Sequence, residues 1–149
     1  MSTIAGLYSP RQEPTSADAL HRLLLPLETY GGAPARTCFF PAFRCGVRQH
    51  FATAEDALER QPTVSKRCAI IWDGRLDNRS EVAFRARVKL RDSGHPATDS
   101  WLALALLEKL GFESAAILKG DFALAFYSEE AHRLLLYRDP VGARPLYYC

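Results

Sequence analysis

Apolar residues in the first part of the chain recur with spacings that predict short strands around one helix. An apolar stretch over residues 4–8 predicts a strand close to the N-terminus. After a polar loop, Thr15 stands at the position of a helix cap. Residues 37–40 and 43–47 predict two strands of a hairpin that turns at Pro41. Four leucines between the cap and this hairpin follow helical spacing and predict one apolar face: Leu20, Leu23, Leu24 and Leu27.

The later part of the chain contains longer strand patterns. Residues 52–67 are polar and irregular, which predicts a loop or a short helix. Residues 68–72 are continuously apolar, as in a strand that is buried on both faces. Apolar and small residues alternate over 122–126, and residues 133–137 and 145–148 predict two further strands. Runs of strands with helices between them, without strict β-α alternation, indicate an α+β fold layered on antiparallel sheets.

Two helices are predicted between these strands. Asn78 followed by Glu81 is a capping-box pattern that begins a helix. Thr98 or Asp99 is the predicted cap of the next helix, and Gly111 is its predicted end.

Composition limits the classes of function. The chain has 149 residues, 48% of them hydrophobic, which predicts a single globular domain over 1–149. A net charge of +2 with dispersed basic residues predicts neither a nucleic-acid partner nor an anionic membrane partner. No apolar run approaches the length of a membrane span, and the N-terminus lacks a secretion signal. We therefore expect a soluble, cytoplasmic protein.

The four cysteines stand at positions 38, 45, 68 and 149. They form no CxxC pair, and no histidine lies at a zinc-like spacing from them. In an intracellular protein this favours reduced, structural cysteines over disulfides or metal ligands, so no metal site is predicted.

An ordered set of motifs in the second half resembles a known family. The segments that carry it are Asp73-Gly74-Arg75, Thr98-Asp99, Gly120-Asp121-Phe122-Ala123 and the run from Arg138 to Tyr148 (RDPVGARPLYY). Together they resemble the N-terminal glutaminase domain of asparagine synthetases, a class II glutamine amidotransferase of the N-terminal nucleophile (Ntn) hydrolase superfamily. The resemblance is specific from about residue 68 onward and loose between 30 and 67.

The resemblance implies a four-layer α-β-β-α sandwich of antiparallel sheets. In the family, a cysteine at position 2 attacks the side-chain amide of glutamine, and the free α-amine that remains after Met1 is removed acts as the general base. Here the corresponding residue is Ser2. A hydroxyl is a much weaker nucleophile than a thiol at neutral pH, although other Ntn hydrolases use an N-terminal serine.

The other implied site residues are partly altered. Asp73 replaces an asparagine whose amide N–H stabilises the oxyanion, and an ionised carboxylate can only accept hydrogen bonds. At position 75, directly after Gly74, the family has a glutamate that binds polar nitrogens of glutamine. Here the residue is Arg75, so the charge is reversed. Asp99 is retained where the family binds the amino group of glutamine, and Arg48 is the candidate for holding its carboxylate. These changes predict a silent glutaminase site.

Among relatives, the run from Trp72 to Arg79 (WDGRLDNR) looks more like β-lactam synthetases and lasso-peptide macrolactam synthetases than like true asparagine synthetases. Such enzymes activate a carboxylate with ATP and let an amine of the same substrate attack it. The family's ATP-binding Ser-Gly-Gly-x-Asp-Ser loop does not occur in the sequence, and neither does a GxxxxGK[ST] phosphate loop. We therefore expect no cofactor in this chain, and ATP and Mg²⁺ only in a C-terminal synthetase domain that would be its partner.

Three functions follow as hypotheses. The first is a silent amidotransferase-like front domain of a larger ATP-dependent amide or lactam ligase, with this chain as an N-terminal fragment incomplete at its C-terminus. The second is an active amidohydrolase with Ser2 as the N-terminal nucleophile and glutamine as substrate. The third is a stand-alone binding module that has kept the fold and lost the chemistry.

Overall fold

Two antiparallel sheets form the centre of the molecule. The computed structural model describes residues 2–11, 13, 16–30, 32–51, 53–54, 56–92 and 95–149. The first sheet has the strand order β1-β3-β2 and the second β4-β5-β8-β9, while β6 and β7 form a separate ribbon. The strands are β1 (Ser2–Tyr8), β2 (Arg36–Phe39), β3 (Phe43–Gln49), β4 (Thr63–Val64), β5 (Cys68–Leu76), β6 (Arg91–Asp92), β7 (His95–Pro96), β8 (Gly120–Ser128) and β9 (Arg133–Arg138).

Helices cover the outer faces of both sheets. The α-helices are α1 (Ala17–Leu24), α2 (Arg79–Ala86) and α3 (Asp99–Leu110), and short 3₁₀ turns lie at Leu25–Tyr30, Asp56–Leu58 and Phe112–Ile117. No described helix is both long and apolar enough to cross a membrane.

Alternation along β3 and β5 builds the two cores. Cys45 and Val47 of β3 pack against Ala69 and Ile71 of β5, which closes the space between the sheets. The opposite face of β5 packs with α2 and α3, where Trp72 stacks on Phe122 with ring centroids 4.6 Å apart. The layers therefore run α1, first sheet, second sheet, α2 with α3, and the predicted α-β-β-α sandwich is confirmed.

The helices begin close to where the sequence predicts, but the predicted capping hydrogen bonds form only in part. Thr15 lies outside the described residues, and Ser16 caps α1 by accepting from the backbone N–H of Ala19 at 3.3 Å. Thr98 caps α3 as predicted. Asn78 precedes α2, but its side chain makes no capping hydrogen bond and instead donates to Glu81 at 2.9 Å.

Two sequence predictions differ from the structure. The leucine stripe predicts a longer α1, yet the α-helix ends at Leu24 and only Leu20 and Leu24 are buried. Pro26 lacks the N–H that another α-helical turn requires, so the chain continues as a 3₁₀ turn. Residues 145–148 form no strand, and the Tyr147 and Tyr148 side chains are exposed there because no strand among the described residues pairs with this segment.

Candidate functional site

Ser2 and Asp73 meet between the two sheets. Ile4 of β1 packs into the core between the sheets, so Ser2, two residues earlier, lies on the same face of its strand. Asp73 shares its face of β5 with Ala69 and Ile71, which point towards the first sheet. The backbone N–H of Ser2 donates to Oδ1 of Asp73 at 2.6 Å. The structure thus brings together the predicted nucleophile, Ser2, and the aspartate predicted at the oxyanion position.

Arg144 is the second partner of Asp73. Its Nε lies 3.9 Å from Asp73 Oδ2, and the side chains of Asp73 and Arg144 are 14% and 27% exposed. Arg144 is held in turn by Asp139, a buried aspartate whose carboxylate accepts from the backbone N–H groups of Ala143 and Arg144 at 3.0 and 3.4 Å. These N–H donors, Ala143 first, hold the pKa of Asp139 below its usual value. The loop therefore presents a cation to Asp73.

Gly74 allows the backbones of β5 and β8 to approach closely beside Asp73. Its φ is +128°, and a Cβ added there would lie 2.0 Å from the carbonyl oxygen of Asp121 on β8. Only glycine fits both the dihedral angle and this approach of two backbones. The carbonyl of Gly74 also accepts from the indole Nε1 of Trp72 at 3.1 Å, which fixes the peptide next to the site.

Arg75 turns away towards solvent. Its side chain is 68% exposed, and its Nε lies 2.6 Å from Oδ1 of Asp77, with Asp121 3.8 Å from Nη2. The hydrogen bond and charge of Asp77 raise the pKa of Arg75 further. The charge reversal predicted at this position is therefore balanced by carboxylates on the surface.

Asp99 is occupied by contacts within the protein. Its carboxylate, 12% exposed, accepts from the backbone N–H of Leu76 at 2.9 Å and forms an ion pair with Arg79. Burial raises the pKa of Asp99, and the hydrogen bond from Leu76 and the charge of Arg79 oppose that rise. These contacts tie the end of β5 to the start of α3.

Arg48 lies on the other face of the first sheet. On β3 the residues with odd numbers face the second sheet, whereas a Cβ on Gly46 would touch Leu24 of α1. Arg48 therefore points to the α1 side, where its Nη2 lies 2.9 Å from Glu28. Its Nε is buried, and no residue in the described part of the chain accepts a hydrogen bond from it. The structure does not bring Arg48 to Ser2; the residue of β3 that lies directly opposite Ser2 is Gln49.

Glu59 is a partly buried carboxylate that the sequence reasoning missed. Its Oε1 accepts from the backbone N–H groups of Asp99 and Ser100 at 2.6 and 3.1 Å, and the Ser100 hydroxyl donates to Oε2 at 2.5 Å. Burial raises the pKa of Glu59 against these hydrogen bonds. Glu59 comes from the loop around residues 52–67, some 40 positions before its partners, and no local pattern marks it. Arg144, by contrast, lies inside the motif from Arg138 to Tyr148, but the motif does not indicate that its partner is Asp73.

The geometry defines an antiparallel α-β-β-α sandwich whose first strand begins at the hydrogen bond between Ser2 and Asp73, between the sheets. Among the described residues, no three histidine, cysteine, aspartate or glutamate side chains gather as a metal site. A family model described as "glutamine amidotransferase domain" matches residues 48–149, more than half of the chain. The chain therefore belongs to the glutamine amidotransferase domain family. No curated protein matches it in sequence.

Proposed function

We propose that this glutamine amidotransferase domain has a silent glutaminase site and serves as the front domain of an ATP-dependent amide or lactam ligase of the asparagine synthetase type. One observation carries the silent site: the nitrogen of Ser2 donates to the carboxylate of Asp73 at 2.6 Å.

In the chain without Met1, we expect this contact to remove the general base. When Met1 is cleaved, the nitrogen of Ser2 becomes the α-amine that must accept the proton of the attacking hydroxyl. A carboxylate at 2.6 Å stabilises the ammonium form of that amine. An ammonium group cannot accept a proton, so the serine hydroxyl stays unactivated.

The same carboxylate opposes the transition state. Attack on an amide places negative charge on its oxygen, and catalysis needs a hydrogen-bond donor there. An ionised Asp73 offers only acceptor atoms. Arg144 is a cation, but at 3.9 Å it already pairs with Asp73 and only offsets the charge of that carboxylate.

The glutamine pocket is weakened as well. The carboxylate of Asp99, the counterpart of the family's amine-binding aspartate, is taken up by Leu76 and Arg79. Arg75 points to surface carboxylates, and Arg48 pairs with Glu28 on the far face of β3. Binding free glutamine would require breaking these contacts.

The ligase proposal rests on the resemblance to asparagine synthetases in the sequence around the site. The run from Trp72 to Arg79 resembles lactam-forming synthetases, in which the substrate supplies its own amine and no ammonia is needed. A front domain in such an enzyme has no requirement for glutamine hydrolysis. We place ATP and Mg²⁺ on a C-terminal synthetase domain, which is the proposed partner of this chain.

Glutamate release tests the silent site. The chain with Met1 removed, verified by mass, is incubated with glutamine, and glutamate formation is compared between wild type and Ser2→Ala. We expect equal, background rates. Sustained turnover that Ser2→Ala abolishes would instead establish an N-terminal serine amidohydrolase.

ATP-dependent amide formation tests the ligase proposal. The activity of the whole protein is expected to be unchanged in Ser2→Ala. A whole protein with no ATP-dependent activity would contradict the ligase proposal.

A further inference from the structure

Two cysteine thiols lie in contact on the hairpin of the first sheet. Cys38 of β2 and Cys45 of β3 are direct cross-strand partners, and their Sγ atoms are 3.2 Å apart. The hairpin closes through a two-residue turn, with Phe40 and Phe43 exchanging both backbone hydrogen bonds at 2.7 and 3.3 Å. Facing residues in antiparallel strands have Cα atoms about 4.5–5.5 Å apart, inside the range of about 4.4–6.8 Å that disulfides span.

The two thiols differ in access and in acidity. Cys45 is fully buried in the core between the sheets, whereas Cys38 is half-buried on β2, an edge strand. The hydrogen bond from Cys45 lowers the pKa of Cys38, while that hydrogen bond and burial raise the pKa of Cys45. Cys38 is thus the thiol that ionises first and that a reagent in solution reaches first.

We propose that Cys38 and Cys45 form a reversible disulfide that cross-links β2 to β3, with a small-molecule disulfide of the glutathione type as the oxidant. The Cys38 thiolate attacks one sulfur of glutathione disulfide, the S–S bond of the reagent breaks, and one glutathione thiolate leaves. Cys45 then gives up its proton, attacks the Cys38 sulfur and displaces the second glutathione. Two protein thiols are oxidised, and one glutathione disulfide is reduced to two glutathione molecules.

The cross-link acts on the strand that supports the site. β3 pairs with β2 on one edge and with β1 on the other, and Ser2 of β1 lies opposite Gln49 of β3. The disulfide fastens the edge strand to this central strand.

Tryptic mapping under non-reducing conditions tests the proposal. The full chain is equilibrated in glutathione buffers of increasing disulfide content, quenched in acid, alkylated in denaturant and digested. Trypsin cuts after Arg36, Arg44 and Arg48, so peptides 37–44 and 45–48 separate unless the disulfide joins them. We expect the joined pair in oxidising buffers and two separate peptides after dithiothreitol. Two alkylated peptides throughout, or glutathione carried on Cys38 alone, would overturn the proposal.

Two further measurements separate a built pair from chance oxidation. Cys149 is exposed, so Cys149→Ser is the background that removes intermolecular disulfides. In that background we compare the equilibrium constant for forming the Cys38–Cys45 disulfide with glutathione in the folded chain and in urea. The constant is expected to be larger in the folded chain by roughly tenfold or more, because the fold holds the two thiols together. Equal equilibrium constants in the two conditions would overturn the proposal. Oxidation is also expected to raise the thermal midpoint, and Cys38→Ser is expected to remove that rise; a rise that persists in Cys38→Ser contradicts it.

Discussion

At the scale of single residues, the proposed silent site depends on the carboxylate of Asp73, at a position where the resemblance implies an asparagine. Replacing Asp73 by asparagine restores an N–H donor and removes the charge that holds the nitrogen of Ser2. Replacing Ser2 by cysteine restores the stronger nucleophile. Each change alone leaves one defect in place.

The double variant Ser2→Cys, Asp73→Asn is therefore expected to release glutamate from glutamine at a rate above that of either single variant. Restoring one oxyanion donor is worth about two to three powers of ten in rate. The measurement is the glutamate formation rate of the four proteins after Met1 removal, with Ser2→Ala, Asp73→Asn as the control. A double variant no faster than that control would show that the pocket around Asp99, and not the nucleophile, is what prevents hydrolysis.

Gly74 sets a steric limit next to the site. Gly74→Ala is expected to lower the free energy of unfolding by about 4 kcal/mol or more, because backbone strain adds to a collision with the Asp121 carbonyl. Gly111→Ala is the matched control: its φ is +82° but nothing lies within 4 Å of the added Cβ. Strain alone is expected to cost about 1–3 kcal/mol there. Urea unfolding of both variants checks the difference, and equal losses would mean that the β5–β8 approach relaxes freely.

Asp139 makes the free energy of unfolding depend on pH in the acidic range. Because its pKa is lowered in the folded protein, its carboxylate stabilises the fold at neutral pH, and this contribution is lost as the pH falls through the folded pKa. The stability difference between wild type and Asp139→Asn is therefore expected to shrink below about pH 4. Urea unfolding at neutral and at acidic pH measures it. Asp121→Asn, at an exposed aspartate, is the control, and a difference that is constant with pH would contradict the assignment.

At the scale of elements, the apolar pattern predicts buried strands well and helix ends poorly. Residues 68–72 and 122–126 lie in β5 and β8, since an unbroken apolar run is typical of a strand that is buried on both faces and alternation is typical of any strand. The leucine spacing predicts too long an α1, which ends at Leu24. The spacing of apolar residues does not take into account that Pro26 lacks the backbone N–H that a further α-helical turn needs. The predicted strand at 145–148 fails because alternation cannot say whether a neighbouring strand is present to pair with it.

The candidate site follows the same division. Ser2, Asp73 and Asp99 were found through a resemblance, and the structure places the first two in contact. Glu59 and the pairing of Asp73 with Arg144 were not found, because both depend on contacts between segments far apart in sequence.

Helix α3 depends on a residue from outside itself. Glu59→Ala leaves the backbone N–H groups of Asp99 and Ser100 without their acceptor, so we expect a loss of about 1–3 kcal/mol in the free energy of unfolding. Glu59→Gln keeps one acceptor oxygen and is expected to lose less. Chemical denaturation of the two variants measures the order, and Glu108→Ala, in the last turn of α3, is the comparison. A Glu59→Ala variant as stable as wild type would remove the capping role.

At the scale of the whole molecule, each sheet is built from one continuous part of the chain. The strands of the first sheet all lie before residue 50, and those of the second all lie after residue 62. The two sheets exchange no strand, and they meet through apolar side chains. The apolar pattern predicted an α+β fold on antiparallel sheets and the resemblance implied the sandwich, but this division appears only in the strand order.

This division makes the molecule a candidate for fragment complementation. A break in the segment between β3 and β4 severs no hydrogen-bonded ladder, so two polypeptides expressed separately, one ending near residue 51 and the other beginning near residue 56, each retain every strand of one sheet. Reassembly would be driven by the burial of Phe43, Val47, Ile71 and Tyr127 between them. Since Ser2 and Asp73 would arrive on different polypeptides, the hydrogen bond between them would form only in the reassembled pair.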